Sequence, residues 1–177
     1  LYASDCFCIT DTPFKPNSRF KPGEDWQTVT DRFAAATVYD LPATEPGTRA
    51  VLPVTGLWQI ARYDEQEIID RTGPVASLPA LDGLFWKSIP VPGNKDALCP
   101  ELLFCHRYLY RTQVFVPASM SGRGFALEFP SVNMIATVYV NGEFCGWTKA
   151  PFARWQCDIT RAVKPGVTNE IVVAMKD

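Results

Sequence analysis

The chain has 177 residues, of which 20% are charged and 47% hydrophobic, with a formal net charge of −2. That length suits one well-buried core with an appendage and is short for two ordinary domains. The near-neutral balance excludes a surface built for nucleic-acid phosphates or anionic membranes, and no apolar run approaches the roughly 20 residues of a membrane-spanning helix.

From Leu1 to about Ala50 prolines recur at 13, 16, 22, 42 and 46, and apolar periodicity is weak. Proline fixes φ and removes a backbone donor, so residues 1–50 are expected to form an extended arm rather than a folded unit. A short helix is expected over Asp31–Ala36, where alanines favour it. Phe14, Phe20, Trp26, Phe33 and Tyr39 suit an arm pinned to a neighbouring face, a reading preferred here over a ligand-lining one. The start at Leu1 fits either a removed leader or a piece of a longer chain.

Residues 51–177 read as the domain proper. Gly56–Tyr63 is a plausible strand, residues 64–84 a long punctuated loop, and Phe85–Val91 a second strand closed by Pro92-Gly93. After an irregular loop carrying Cys99, Pro100 and Cys105 comes the clearest strand, His106–Val116. Tyr108, Tyr110, Thr112, Val114 and Val116 fall on its core face, and Arg107, Leu109, Arg111, Gln113 and Phe115 on a half-polar face. Phe125, Leu127 and Phe129 alternate in the next strand. Met134–Trp147 then places Asn141-Gly142 between two apolar runs, the strongest short-range hairpin signal, because a type I′ turn needs positive φ at both central residues. Beyond Pro151-Phe152 and Asp158, Thr160 is expected to cap a single helical turn over Arg161–Lys164, ended by Pro165-Gly166. Asn169–Met175 is the last strand. Short strands punctuated every 8–12 residues with almost no helix argue an all-β sandwich, and a jelly roll is the expected form.

The chemistry-bearing residues are sparse. Six cysteines stand at 6, 8, 99, 105, 145 and 157 without a Cys-x-x-Cys pair, and His106 is the only histidine, so zinc spacings are absent. Cys99 with Cys105 and Cys145 with Cys157 are the near-sequence disulfide candidates, and buried free thiols are the preferred alternative. Compartment, cytoplasmic or extracytoplasmic, stays open on that count. Without a Gly-x-Ser-x-Gly elbow or a phosphate-cradling glycine loop, neither a hydrolase triad nor a nucleotide site is indicated. Asp64, Glu65 and Glu67 form an acidic cluster expected to be a solvated face. Jelly-roll modules sometimes hold a structural calcium through such oxygens, but no metal or cofactor is assigned.

Taken in order, Gly56-Leu57-Trp58, Ile89-Pro90-Val91-Pro92-Gly93-Asn94 and Tyr110-Arg111 through Val116-Pro117 resemble the opening of the N-terminal jelly-roll domain of glycoside hydrolase family 2. Leu127-Glu128-Phe129, Val132, Ala136–Gly142, Gly146, Pro151-Phe152, Asp158-Ile159-Thr160, Lys164-Pro165-Gly166, Asn169 and Val173 continue the resemblance, which covers about Val54 to Asp177. That family holds β-galactosidases, β-glucuronidases and β-mannosidases, and the resemblance implies a non-catalytic domain whose two catalytic carboxylates lie on a separate barrel. No catalytic residue is therefore expected here, and a barrel of about 250 residues does not fit this length. Two departures stand out: only Trp147–Ala150 separates the hairpin from Pro151-Phe152, and the sequence stops at Asp177 where family members continue.

Within this frame Asn141, Gly142, Pro151, Phe152, Asp158 and Thr160 are expected to be structural. Trp147, with Lys149 and Trp155 in the same loop region, is the candidate carbohydrate contact, weighed against core or interdomain packing. Expected partners are carbohydrate and the remaining domains of a parent retaining β-glycosidase, with homo-oligomer contacts left open. The alternatives are a free-standing carbohydrate-binding module or the equivalent domain of another glycosidase, such as an α-rhamnosidase.

Overall fold

The computed structural model describes residues 38–63 and 72–177. The expected Asp31–Ala36 helix, Phe14, Phe20, Trp26 and Phe33, Cys6 and Cys8, and the Asp64, Glu65, Glu67 cluster lie outside them. Among the described residues nine strands run in chain order: β1 (Val38–Asp40), β2 (Gly56–Arg62), β3 (Lys87–Val91), β4 (Arg107–Phe115), β5 (Ala126–Phe129), β6 (Ile135–Val140), β7 (Glu143–Thr148), β8 (Trp155–Asp158) and β9 (Thr168–Lys176). The one described α-helix, α1 (Lys95–Leu98), is a single turn.

A large sheet runs β3-β2-β4-β9-β6-β7, and a small one pairs β5 with β8. The fold is thus the expected all-β sandwich. Inward residues of β4, β6 and β9, among them Tyr108, Tyr110, Val138, Val140, Val173 and Met175, meet Leu127 and Cys157 of the small sheet in one apolar core. The alternation predicted for β4 holds, since Tyr108, Tyr110, Thr112 and Val114 are all buried. Pro90 is tolerated in β3 because that strand lies at the sheet's edge, where a missing donor costs little.

Two features differ from the local pattern. Val38–Asp40, which the sequence places in the arm, pairs in parallel with Gln113–Phe115 of β4. It fills the part of that edge which β2 leaves open, since β2 reaches only to Arg111. Arg123 then fastens the following turn, donating to Thr44 Oγ1 at 2.7 Å, to the Thr44 and Glu45 carbonyls at 2.8 Å, and to the Thr48 carbonyl at 2.9 Å.

The second difference is the cover over the outer face of the large sheet. Leu109, Tyr139, Val172 and Ala174 pack there with Val75, flanked by Leu78, Leu81, Leu84 and Trp86. The Val75 amide donates to Thr137 Oγ1 at 3.0 Å, the Tyr139 hydroxyl donates to the Val75 carbonyl, and buried Lys176 donates to the Gly73 carbonyl at 3.1 Å. That cover explains why all six residues of β6 are buried although an outer strand face usually meets water.

Candidate functional site

The hairpin places the candidate residues. Asn141 and Gly142 have φ of 51° and 82°, the left-handed pair that a two-residue turn requires, and Val140 faces Glu143 across it. Asn141 also anchors the turn to its surroundings. Its side-chain amide donates to the Ala162 carbonyl at 2.8 Å and to Asn169 Oδ1 at 2.7 Å, and its oxygen accepts from the Glu170 amide at 3.1 Å.

A bulge follows in β7. Tyr139 faces Phe144 and Val138 faces Gly146, so Cys145 is the extra residue. The bulge restores alternation out of phase and brings Phe144 and Trp147 to the same outer face. Phe144 meets the Tyr139 ring edge-on at 5.8 Å, and Trp147 lies opposite Thr137 with 39% of its surface exposed. Gly146, between them, faces inward: a Cβ there would come within 3.0 Å of Cys157 Sγ and 3.8 Å of the Trp155 ring.

Trp155 therefore does not join Trp147. It stacks on Phe129, its pairing partner across β5 and β8, with ring centroids 5.2 Å apart and planes 15° from parallel. Trp155 is half-buried between the sheets while Trp147 looks outward, so the two indoles cannot grip one sugar from the same side. Lys149 is exposed in the connecting turn. That turn is tight: the Ala150 amide donates to Thr148 Oγ1 at 3.2 Å, and the Phe152 amide to the Val132 carbonyl at 2.9 Å. Phe152 holds φ of 61° and exposes its ring by 53%, so its contribution to the fold is made by backbone rather than by core packing.

The cap expected of Thr160 is supplied by Asp158. Asp158 Oδ1 accepts from the Thr160 amide at 2.9 Å and caps the turn, whose Val163 amide donates to the Ile159 carbonyl at 3.1 Å. The Thr160 hydroxyl instead bridges to the chain entering β5, accepting from the Phe125 amide at 2.9 Å. Bonding to the side chain and then the amide of Thr160 holds the Asp158 carboxyl below its usual range. Arg154 and then Gln156 do the same for Glu128, at 2.7 Å and 2.6 Å. Burial works to raise Glu101, but its bond to Lys87 leads the opposing effects and the net shift is downward.

Groups with lowered folded pKa stabilise fully above the unfolded carboxyl values, near 4, and lose that contribution as pH falls through the folded value. The melting temperature is accordingly expected to drop between about pH 5 and pH 2. Asp158→Asn, which keeps an acceptor for Thr160 without the charge, should flatten that slope; an unchanged slope in a pH series of thermal melts would count against the capping role.

None of the three carboxyls, Glu101, Glu128 and Asp158, is tuned as a general acid. A general acid needs a carboxyl pushed up, whereas these three are pushed down. Burial raises the Cys99 thiol to about 11 and the Cys157 thiol likewise to about 11, so neither is a ready nucleophile. Cys99, Cys105, Cys145 and Cys157 are free thiols. Among the described residues no three His, Cys, Asp or Glu side chains gather as a metal site. A cavity of about 60 Å³ between the sheets is lined by residues including Trp58, Tyr110, Phe129, Val132 and Met175. Ligand pockets begin near 300 Å³, so it is a packing gap rather than a sugar site.

Residues 90–177 match the family described as glycosyl hydrolase 2 galactose-binding domain-like. No curated protein matches the chain. Among solved structures it is similar to a β-glucuronidase from Ruminococcus gnavus in complex with C6-substituted uronic isofagomine, at 28% identity and a TM-score of 0.55, over 70% of this chain and 21% of that one. The apo form of the same enzyme gives 28% identity and a TM-score of 0.51 over the same shares. A β-D-glucuronidase from Dictyoglomus thermophilum shares the fold, with a TM-score of 0.58 at 21% identity over 79% of this chain. The chain thus spans about one fifth of these relatives, 21% in each case.

Proposed function

Since residues 90–177 match the family described as glycosyl hydrolase 2 galactose-binding domain-like, we propose that the chain is the N-terminal, non-catalytic sandwich of a larger retaining β-glycosidase. One observation carries this reading: 28% identity to a β-glucuronidase extends over 70% of this chain yet only 21% of that enzyme. Such a likeness is what one module of a multidomain glycosidase would give. The lowered carboxyls fit a domain that leaves acid–base chemistry to a barrel. Its work is then to pack on that barrel, to lend a loop to the carbohydrate pocket and to support subunit contacts.

The test compares the full open reading frame containing these residues with the 177-residue chain, assaying both on nitrophenyl β-glucuronide, β-galactoside and β-mannoside. Hydrolysis by the full product alone is expected. A frame that closes after Asp177, or turnover by the 177-residue chain, would overturn the proposal.

A second reading, a free-standing carbohydrate-binding module, is favoured by Phe144 and Trp147, 41% and 39% exposed on one face. Stacking of pyranose C–H faces on aromatic rings would supply its affinity. Titration calorimetry separates the two: the parent-enzyme reading expects no heat from the 177-residue chain with any of the three glycosides. A binding module expects heat that Trp147→Ala reduces at least tenfold.

A further inference from the structure

The most exposed aromatic rings of the described residues sit at the β3 edge of the large sheet. Phe104 is 85% and Phe85 76% exposed, with Leu103 at 47%. Lys87 links them, its ammonium lying 5.7 Å from the Phe85 ring centre and pairing with Glu101, shortly before Leu103 and Phe104. The loop beneath is held in place. Leu102 and Cys99 are buried, the Leu103 amide donates to the Pro100 carbonyl at 3.1 Å, and the Cys105 amide to the Leu102 carbonyl at 2.9 Å. Lys95, buried at 4% exposure, adds a 2.8 Å bond to the Leu102 carbonyl. Phe104, held outward by so ordered a loop, and Phe85, exposed at the entry to β3, mark a contact surface.

The end of β9 reaches the same place. The Asp177 amide donates to the His106 carbonyl at 3.1 Å. Its carboxylate accepts from the Tyr108 hydroxyl at 3.2 Å and lies 3.1 Å from His106 Nδ1. Polypeptide continuing from Asp177 therefore departs beside Leu103, Phe104 and His106.

We propose that Phe85, Leu103 and Phe104 seat the domain that follows Asp177 in the parent glycosidase, an inference that rests on the function proposed above. Three observations favour this occupant. The β-glucuronidase relatives hold about four-fifths of their length outside the shared region, since the chain covers 21% of them. The exit point adjoins the patch, so a short tether keeps the following domain at high effective concentration there. Lys87 and Glu101, the charges that tie the Phe85 strand to the Phe104 loop, are paired with each other, which suits an uncharged apolar complement.

Phe85→Cys and Phe104→Cys, introduced singly into the 177-residue chain and into the full reading-frame product, test this by maleimide labelling read out by peptide mass mapping. Labelling at both positions is expected to be at least tenfold slower in the full product. Val51→Cys, 69% exposed and outside the patch, should label alike in both proteins. Amide exchange over residues 100–106 in the unsubstituted proteins should slow by a similar factor. Equal labelling and equal exchange overturn the docking proposal while leaving the glycosidase reading intact, whereas a frame closing at Asp177 overturns both.

Discussion

Asn169→Ala is expected to lower the melting temperature by roughly 10 °C, corresponding to about 3–4 kcal/mol in a chain of this size. Asn169 is 1% exposed and uses its whole amide. It donates to the Lys164 carbonyl at 3.0 Å and the Val167 carbonyl at 2.9 Å, and it accepts from the Lys164 amide and the Asn141 side chain, both at 2.7 Å. Removing it strips partners from four groups at the junction of the Arg161–Val167 turn, β9 and the hairpin, and several of these lie where water cannot replace it. The same cluster makes Asn141 more than a turn former. Asn141→Asp tolerates positive φ but loses both amide donations, so it should cost less than Asn169→Ala, and the double variant should cost less than the sum. Urea unfolding of the four proteins measures this coupling; strict additivity, or a loss below about 1 kcal/mol for Asn169→Ala, would sink the account.

Much of the fold was legible because its signals are local. Asn141-Gly142, the alternation around Tyr108–Val116 and the proline and glycine stops each declare themselves within a few residues. Three features were not legible, for a shared reason: each depends on partners remote in sequence. Val38–Asp40 is a strand because Gln113–Phe115 has a free edge, which no property of VYD reveals. The outer face carrying Leu109 and Tyr139 is buried because Val75 and its neighbours cover it. Lys95 is buried because the Leu102 carbonyl and the Tyr108 ring, 4.9 Å away, receive its ammonium.

The candidate contacts illustrate the same limit more sharply. Trp147 and Trp155 look equivalent in sequence, yet one faces outward and the other stacks on Phe129. Strict alternation would put Phe144 and Trp147 on opposite faces, and only the bulge at Cys145 brings them to one. The three aliphatic and aromatic groups at Phe85, Leu103 and Phe104 carry no local mark at all, because exposure is set by what the rest of the chain fails to cover.

Gly93→Ala should destabilise by about 2–3 kcal/mol, and the reason is steric. A Cβ at 93 would stand 2.4 Å from the Pro90 carbonyl oxygen and 2.7 Å from Leu98 Cδ1. Leu98 can turn its flexible end aside. Pro90 cannot, because it is registered with Leu57 in the β2–β3 pair, so the chain between Pro90 and Gly93 must open. That movement displaces Asn94, whose Oδ1 caps α1 by accepting from the Asp96 amide at 2.9 Å, and with it Lys95 and its bond to Leu102. Two other glycines separate sterics from conformation. Gly142→Ala meets nothing within 4 Å but must hold φ of 82°, so it should cost about 1 kcal/mol. Gly73→Ala meets nothing and needs no left-handed φ, so it should be nearly neutral. Urea midpoints should therefore fall in the order Gly73→Ala, Gly142→Ala, Gly93→Ala. If Gly93→Ala instead unfolds with Gly73→Ala, the backbone there yields more easily than its registry with β2 implies. If the order holds, Gly93→Ala should also speed amide exchange over residues 100–106, since the loop presenting Phe104 is braced through Lys95.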